Sequence, residues 1–355
     1  MRRVIDIRSD TVTRPTEEMR LAMYRADVGD DGRIGPSGKG EDPTVNELEA
    51  LAARTLGKED ALLVASGTMG NLVAMMAHCS RGQEAIVGQT AHIYRTEKAA
   101  FEEEVFGLKP LEVPDRQGFP DLGSVNYHLS TGKPQVLCLE NTHNFAGGTV
   151  MAPDVIGALA DAAHARGVLV HLDGARLFNA AVALGIEARR LVESVDSVMF
   201  CLSKGLSAPV GSLVVGTADF VSKARQRRKL IGGQMRQAGI LAAAGIVAVQ
   251  SMVARLQEDH DKARRLAERL AGIDGLAIDF STVQTNIVKV DVSGTGLTAR
   301  EFQREISARG VLVHLMSMTE IRLVTHKDVD LQQVLQAAEI IGDFVSNRAH
   351  ARRGG

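Results

Sequence analysis

The chain has 355 residues, enough to bury a large core and to divide into two domains, and is 45% hydrophobic and 24% charged. A formal net charge of −2 excludes a basic nucleic-acid binder, and the composition excludes a disordered polymer. No apolar run approaches the roughly 18 residues of a membrane span, and the start, Met1-Arg2-Arg3-Val4-Ile5-Asp6, lacks the apolar centre of a signal peptide. Cys79, Cys138 and Cys201 are odd in number and widely spaced, so they read as buried thiols of a reducing cytoplasm, with no disulfide frame and no metal site.

Residues 4–7 read as a short strand, followed by a polar arm from Arg8 to Pro15. By composition that arm is a surface lead-in. Thr16 caps a helix through Tyr24, with Glu17 and Glu18 in its first turn. Residues 27–43 form a Gly-rich, charged loop that is no phosphate loop. Arg33 stands where glycine is required, Gly40 where Ser or Thr is required, and no strand precedes it. Thr44 is expected to cap a helix over 45–56, with Glu47 completing a capping box.

Residues 61–64 form a short buried strand that runs into Ser66-Gly67-Thr68, and the apolar run 72–78 reads as the helix this turn opens. Such a turn offers free backbone N–H groups and the positive end of a helix dipole to a phosphate. A strand at 86–87 leads to His92, and a strand over 136–139 ends in Glu140-Asn141-Thr142-His143-Asn144. Taken alone, a histidine at either place is more often a satisfied loop residue than a catalyst.

The strand 168–172 ends in Asp173-Gly174-Ala175-Arg176, residues 177–195 read as a helix and a short return, and the strand 197–201 delivers Lys204 between Ser203 and Gly205. This βαβ unit brings Asp173 and Lys204 to one carboxyl edge of a parallel sheet. A lysine desolvated at a strand end suits a Schiff base with a carbonyl, and an acid beside it suits pyridoxal phosphate (PLP), whose ring nitrogen it keeps protonated. Those two residues could equally form a plain structural salt bridge. Five successive strand ends carrying polar residues at the edge where α/β ligands bind make a site the better explanation.

Residues 211–216 return as a strand, and a basic run over 223–229 is followed by Gly232-Gly233 and Met235-Arg236-Gln237. That run is either a solvated helix face or places Lys229 or Arg236 near a phosphate. Residues 238–272 are helix-rich and end in a long amphipathic helix that crosses into a second domain. Strands over 276–279 and 287–290, a helix over 299–309, strands near 311–314 and 321–324 and a final helix describe a small α+β domain. The expected division is an arm and helix over 1–25, a large domain over 26–255 and a small C-terminal domain over 256–355.

From about Asp6 to Asp328 the chain resembles the low-specificity threonine aldolases, PLP enzymes of fold type I. The matching motifs are Asp6-Ile7-Arg8-Ser9-Asp10-Thr11-Val12-Thr13, Gly40-Glu41-Asp42-Pro43-Thr44-Val45-Asn46, Leu139-Glu140-Asn141-Thr142-His143-Asn144, Asp173-Gly174-Ala175-Arg176, Cys201-Leu202-Ser203-Lys204-Gly205, Met235-Arg236-Gln237 and Arg322-Leu323-Val324-Thr325-His326. The resemblance implies an α/β fold type I enzyme, with a large, mostly parallel sheet flanked by helices and a small α+β C-terminal domain. It implies retro-aldol cleavage of a β-hydroxy amino acid to glycine and an aldehyde. It also implies a cytoplasmic homotetramer, a dimer of dimers with shared active sites. Neither nucleic acid nor membrane is an expected partner.

Residue by residue, the resemblance implies that Lys204 carries the PLP aldehyde and Asp173 pairs with the ring nitrogen. His92 stacks on the ring and takes part in proton transfer. Ser66, Gly67 and Thr68 hold the phosphate, helped by Lys229 or Arg236. Ser9, Arg176 and Arg322 clamp the substrate carboxylate, with Arg176 also among the cofactor contacts, and His143 faces the β-hydroxyl. The arm at Ser9 thereby becomes functional. The alternative is another fold type I PLP enzyme, a β-eliminating lyase or an aminotransferase; a scaffold protein is disfavoured because Lys204, Asp173, Arg176 and Arg322 are all kept. Two departures are the long, aromatic-free segment from Gly32 to Lys39, which is expected to widen the side-chain pocket and make it more positive, and the unusually charged segment Tyr94-Arg95-Thr96-Glu97-Lys98 after His92.

Overall fold

The computed structural model describes residues 4–353. The chain begins with β1 (Ile5–Asp6), α1 (Glu17–Arg25), α2 (Pro43–Leu56), β2 (Asp60–Val64), α3 (Gly67–His78) and β3 (Glu84–Gly88). It continues through β4 (Lys109–Val113), the short pair β5 (Asp115–Arg116) and β6 (Phe119–Pro120), α4 (Leu122–Thr131), β7 (Pro134–Glu140), α5 (Pro153–His164) and β8 (Leu169–Asp173). Then come α6 (Leu177–Leu184), α7 (Ala188–Val192), β9 (Ser197–Cys201), β10 (Ser212–Gly216), α8 (Ala218–Leu230), α9 (Gly239–Ser251) and α10 (Leu256–Ala271). The last part holds β11 (Ile287–Asp291), α11 (Ala299–Ala308), β12 (Val311–Leu312), β13 (His314–Leu315), β14 (Glu320–Val324) and α12 (Leu331–Arg353).

Seven strands make one sheet in the order β2-β10-β9-β8-β7-β3-β4. Only β10 runs against its neighbours, so the other six strands send their carboxyl ends to one edge. Both faces of the sheet are covered, which is why β9 is buried along its whole length and carries no polar alternation. Val198 and Phe200 point into one core with Leu139, Leu172 and the apolar side of α2, whereas Met199 and Cys201 point into another with Val64, Val87 and α3. Period-two burial thus splits one apolar run between two layers.

The C-terminal part has its own core, formed by β11, β14, α10, α11 and α12. Ile5 and Ile7 belong to that core, and β1 pairs in parallel with β12, so the start of the chain is built into its end. Among the described residues no single helix is long and apolar enough to cross a membrane.

Three local expectations are corrected. The cap of α2 is Asp42, not Thr44: its Oδ1 accepts from the Val45 N–H at 3.0 Å, Pro43 occupies the first turn, and the Thr44 hydroxyl instead donates to the Asp27 carbonyl at 2.6 Å. Residues 276–279 make only one bridge, between Ala277 and Asp291, because an early 3₁₀ turn over Phe280–Thr282 ends the extended stretch. The edge strand β4 and the β5–β6 pair carried no apolar run that the sequence could show; β4 is mostly exposed.

Asp42 does more than cap. Its Oδ2 also accepts from the Gly239 N–H at 2.8 Å and the Gly29 N–H at 3.2 Å, and the side chain is fully buried. Asp42→Ala removes a cap and strands at least one buried donor, so we expect a loss of about 2–5 kcal/mol in unfolding free energy. Thr44→Val loses one hydroxyl bond and is expected to cost about 1 kcal/mol. Urea midpoints of the two variants check this order; equal losses would return the cap to Thr44.

Candidate active site

At the carboxyl edge of the parallel strands lies a cavity of about 380 Å³, whose walls include Ser9, Ser66, His92, Arg176, Lys204 and Arg322. Lys204 follows β9 in a turn whose Lys204 carbonyl accepts from the Thr13 hydroxyl at 2.9 Å and the Ser207 N–H at 2.8 Å. The backbone is therefore pinned while the side chain is not. Among the described residues the Lys204 amine has no hydrogen-bond or ion-pair partner, so the salt bridge to Asp173 considered above does not form.

Asp173, the last residue of β8, is buried and lies opposite Met199 of β9 and Glu140 of β7. Its Oδ2 accepts from Asn71 Nδ2 at 2.9 Å and its Oδ1 from the Ala175 N–H at 3.0 Å. Burial, and then the negative charges of Glu140 and Glu97, push its pKa up to about 6, against the pull of His92 and Lys204.

His92 follows β3, its backbone N–H donating to Glu140 Oε2 at 2.7 Å and its Nδ1 lying 3.4 Å from Glu97 Oε1. Side-chain atoms of His92, Glu97 and Asp173 all lie within 4.8 Å of one another. Burial pulls the His92 ring down, but Glu97, Asp173 and Glu140 outweigh it and leave the imidazole above its ordinary value. Burial likewise raises Glu97, yet bonds from His92 and Asn71 win and hold that carboxyl low.

The other histidine behaves differently. His143 is buried behind Glu140 and Asp115 rather than lining the cavity, contrary to the expectation that it faces a substrate hydroxyl. Its Nδ1 accepts from the Ala146 N–H at 3.2 Å, so Nε2 carries the proton, and that atom has no hydrogen-bond partner. The nearby carboxylates stand 3.5 and 3.7 Å away.

Two guanidinium groups share the third wall. Arg176 forms a two-pronged pair with the fully buried Asp10, Nε to Oδ2 at 2.8 Å and Nη2 to Oδ1 at 2.7 Å. Burial would raise the Asp10 pKa, but the charge and hydrogen bonds of Arg176 hold it far below the carboxylate range. Arg322, on β14, has no carboxylate partner among the described residues. Its Nη1 donates to Asn144 Oδ1 at 2.7 Å, its Nε is buried and unbonded, and burial with the charge of Arg176 lowers its pKa to about 10. Ser9 stands at the same wall, its Oγ accepting from the Thr11 N–H at 3.2 Å and the Thr11 hydroxyl at 3.0 Å.

Ser66 caps α3 by accepting from the Met69 N–H at 3.2 Å, which leaves the Gly67 and Thr68 N–H groups at the open helix end. A Cβ on Gly67 would come within 3.0 Å of Cys201 Sγ, so glycine lets this end sit close to β9. Lys229 and Arg236 do not reach the cavity of their own chain. Lys229 is exposed, and Arg236 pairs with Asp30 at 2.9 Å on the surface. The basic run contributes a buried cation instead, Arg228, which bonds the Leu63 carbonyl at 2.7 Å and pairs with Asp31. The segment from Gly32 to Lys39 is also elsewhere. Lys39 pairs with Asp60 at 2.6 Å, at the amino end of β2, so this loop does not line the cavity of its own chain.

Sequence reasoning missed Asn71, Glu97, Asp10 and Asn144. Asp10 and Asn144 lay inside quoted motifs, and only the tertiary contacts show that they decide which arginine is free. Asn71 stood at the end of the turn before a helix with nothing local to mark it, and Glu97 lay in a stretch after His92 whose charge was the one local signal.

The sheet order, the single reversed strand, the small C-terminal domain and a lysine just after β9 together define a fold type I PLP-enzyme architecture. In keeping with this, residues 6–293 match the family model described as beta-eliminating lyase. Low-specificity L-threonine aldolase 1 of Arabidopsis thaliana is 42% identical over 342 residues, covering 94% of this chain and 94% of that protein. The low specificity L-threonine aldolase of Escherichia coli (strain K12) is 42% identical over 348 residues, covering 94% of this chain and 97% of that protein. The solved threonine aldolase of Leishmania major shares the fold, with a TM-score of 0.79 at 17% identity over 96% of this chain and 99% of that one. The chain belongs to the low-specificity L-threonine aldolase family.

Burial leaves the Asp173 carboxyl with a pKa above its ordinary value. A carboxyl whose folded pKa lies above its unfolded one favours the fold most below about pH 4. Its contribution is lost as pH rises through about 6. In cofactor-free protein, carboxyl ¹³C signals should show one buried aspartate titrating near pH 6, absent in Asp173→Asn. A signal that stays ionised down to pH 4 would show that Asn71 and Ala175 outweigh burial.

Proposed function

We propose that this chain is a PLP-dependent carbon–carbon lyase that cleaves L-β-hydroxy-α-amino acids, such as threonine, allo-threonine and phenylserine, to glycine and an aldehyde. The observation that carries this reading is a pair of cations, the Lys204 amine and the Arg322 guanidinium, that line one cavity without an acidic partner. The residues fit PLP: Lys204 would hold it through its aldehyde, Asp173 would meet the ring nitrogen, and the open end of α3 at Ser66, Gly67 and Thr68 would take its phosphate. When bound, PLP supplies a conjugated sink for the electron pair left on Cα as the Cα–Cβ bond breaks.

The chain's own groups do the rest. Arg322 grips the substrate carboxylate with its planar fork, and Ser9 adds a hydroxyl. Arg176 is already held by Asp10, so it orients Asn144 and Arg322 rather than serving as a second free clamp. His92, which lines the cavity as His314 also does, takes the proton of the β-hydroxyl, while Glu97 at 3.4 Å stabilises the ring once it is protonated. A base so placed is worth roughly 10²–10⁴ in rate. Asp173 would keep a proton on the ring nitrogen of bound PLP.

The exposed Lys229 and Arg236 serve the phosphate of a neighbouring copy, so that sites are shared within a dimer of dimers. Three buried, unpaired cysteines suit a reducing cytoplasm.

Incubation with L-threonine, L-allo-threonine and L-phenylserine should give glycine and the matching aldehyde in equal amounts. A keto acid product would replace this reading by elimination or amino transfer. Lys204→Ala is expected to abolish the visible absorbance of bound PLP and nearly all turnover; retention of both would remove Lys204 from its place. Arg322→Lys should raise KM for every substrate by about 10- to 100-fold, because a point charge replaces a fork in a buried site. If only one side-chain class responds, Arg322 reads the side chain and not the carboxylate.

A further inference from the structure

Behind Asp173 runs a line of buried side chains that the cleavage chemistry does not use. Asn71 lies on α3, His171 in the middle of β8 and Ser197 at the start of β9, and all three are fully buried. Asn71 Nδ2 stands 2.9 Å from Asp173 Oδ2 and 2.9 Å from Glu97 Oε2. Both amide hydrogens therefore go to carboxylates; the reverse orientation would aim the amide oxygen at two negative charges. Asn71 Oδ1 must then accept, and the donor is His171 Nε2 at 3.1 Å. Burial holds the His171 ring down at about 3, so its Nδ1 is bare and accepts from the Ser197 hydroxyl at 2.8 Å. Ser197 Oγ accepts in turn from His78 Nε2 at 2.6 Å. Each bond direction follows from the one before it. The chain of donors starts at His78, at the far end of α3, and points to Asp173, which is buried beside the cavity-lining His92 and Glu97.

We propose that His171, oriented by Ser197 and His78, is a positioning residue for the cleavage reaction, which fixes the Asn71 amide so that Asp173 and Glu97 stay ionised side by side. This rests on the reading that Asp173 meets the PLP ring nitrogen. The physical need is clear from the crowding: burial and the charges of Glu140 and Glu97 disfavour ionisation of Asp173. An amide donating to two carboxylates at once offsets that repulsion. It can do so only while its own oxygen is satisfied from behind. Were the His171 donor lost, the amide oxygen would be stranded or the amide would turn, and Asp173 would take up a proton and lose its hold on a ring nitrogen.

A histidine that merely filled core volume would be replaced without harm by any residue of similar size. Two variants separate these cases. His171→Gln keeps an N–H donor at the reach of Nε2, and His171→Leu keeps bulk without a donor. In His171→Leu, PLP affinity and kcat should each fall by about 10- to 100-fold, the scale of one stranded buried acceptor, with KM for threonine little changed. His171→Gln should stay within about threefold of the parent. In cofactor-free parent protein, histidine ¹⁵N signals should show His171 protonated at Nε2 and bare at Nδ1, and Ser197→Ala should shift the Nδ1 signal and weaken PLP binding. Ser197→Ala also serves if His171→Leu fails to fold. Parent-like PLP affinity in both His171→Leu and Ser197→Ala, or equal impairment of the Leu and Gln variants, overturns the relay while leaving the proposed function intact. A parent protein that takes up no PLP removes both.

Discussion

The pair between Asp10 and Arg176 organises the site. It joins the N-terminal arm to the end of β8, and both partners are buried. Breaking such a pair by removing one partner would leave an uncompensated charge in the interior, so the arm is held in place by electrostatics as well as by β1 pairing with β12. With the arm fixed, Ser9 is brought to the cavity wall and Thr13 holds the Lys204 carbonyl. The same pair neutralises one of two adjacent guanidinium groups. That leaves Arg322 as the cation whose needs are unmet, and Arg322 is the one depressed by burial and by its neighbour's charge.

On the other side the arrangement is inverted. Three acids, Asp173, Glu97 and Glu140, converge on few donors: Asn71, His92, the Thr68 hydroxyl and the backbone N–H groups of His92, Asn144 and Ala175. Burial and the charges of Glu140 and Glu97 raise Asp173, whereas burial and the charge of Arg176 lower Arg322, so the site holds acids on one side and cations on the other.

The two histidines show how much depends on which strand ends beside which. His92 and His143 follow neighbouring parallel strands, β3 and β7. Their sequence surroundings do not rank them. The contacts do: Glu140 accepts from the His92 backbone and stands 3.5 Å from the His143 ring, so one histidine is drawn to the cavity wall and the other is sealed behind the acid.

By itself the sequence determined the parallel core, because runs such as 197–201 are apolar without alternation and can sit only in a sheet covered on both faces. It also determined that Asp173, Arg176 and Lys204 share one edge, since a right-handed βαβ crossover leaves no other choice. The tertiary structure alone decided which charges are spent and which are free. Arg176 and Arg322 are alike as residues, yet a contact with Asp10 more than 160 positions away occupies one and not the other. It decided the cap of α2 as well, because Asp42 is chosen over Thr44 by the additional bond to Gly239, nearly 200 residues on. Local pattern reports burial and direction, which depend on neighbours in the chain; pairing of buried charges depends on distance in space, and only the folded chain sets that distance.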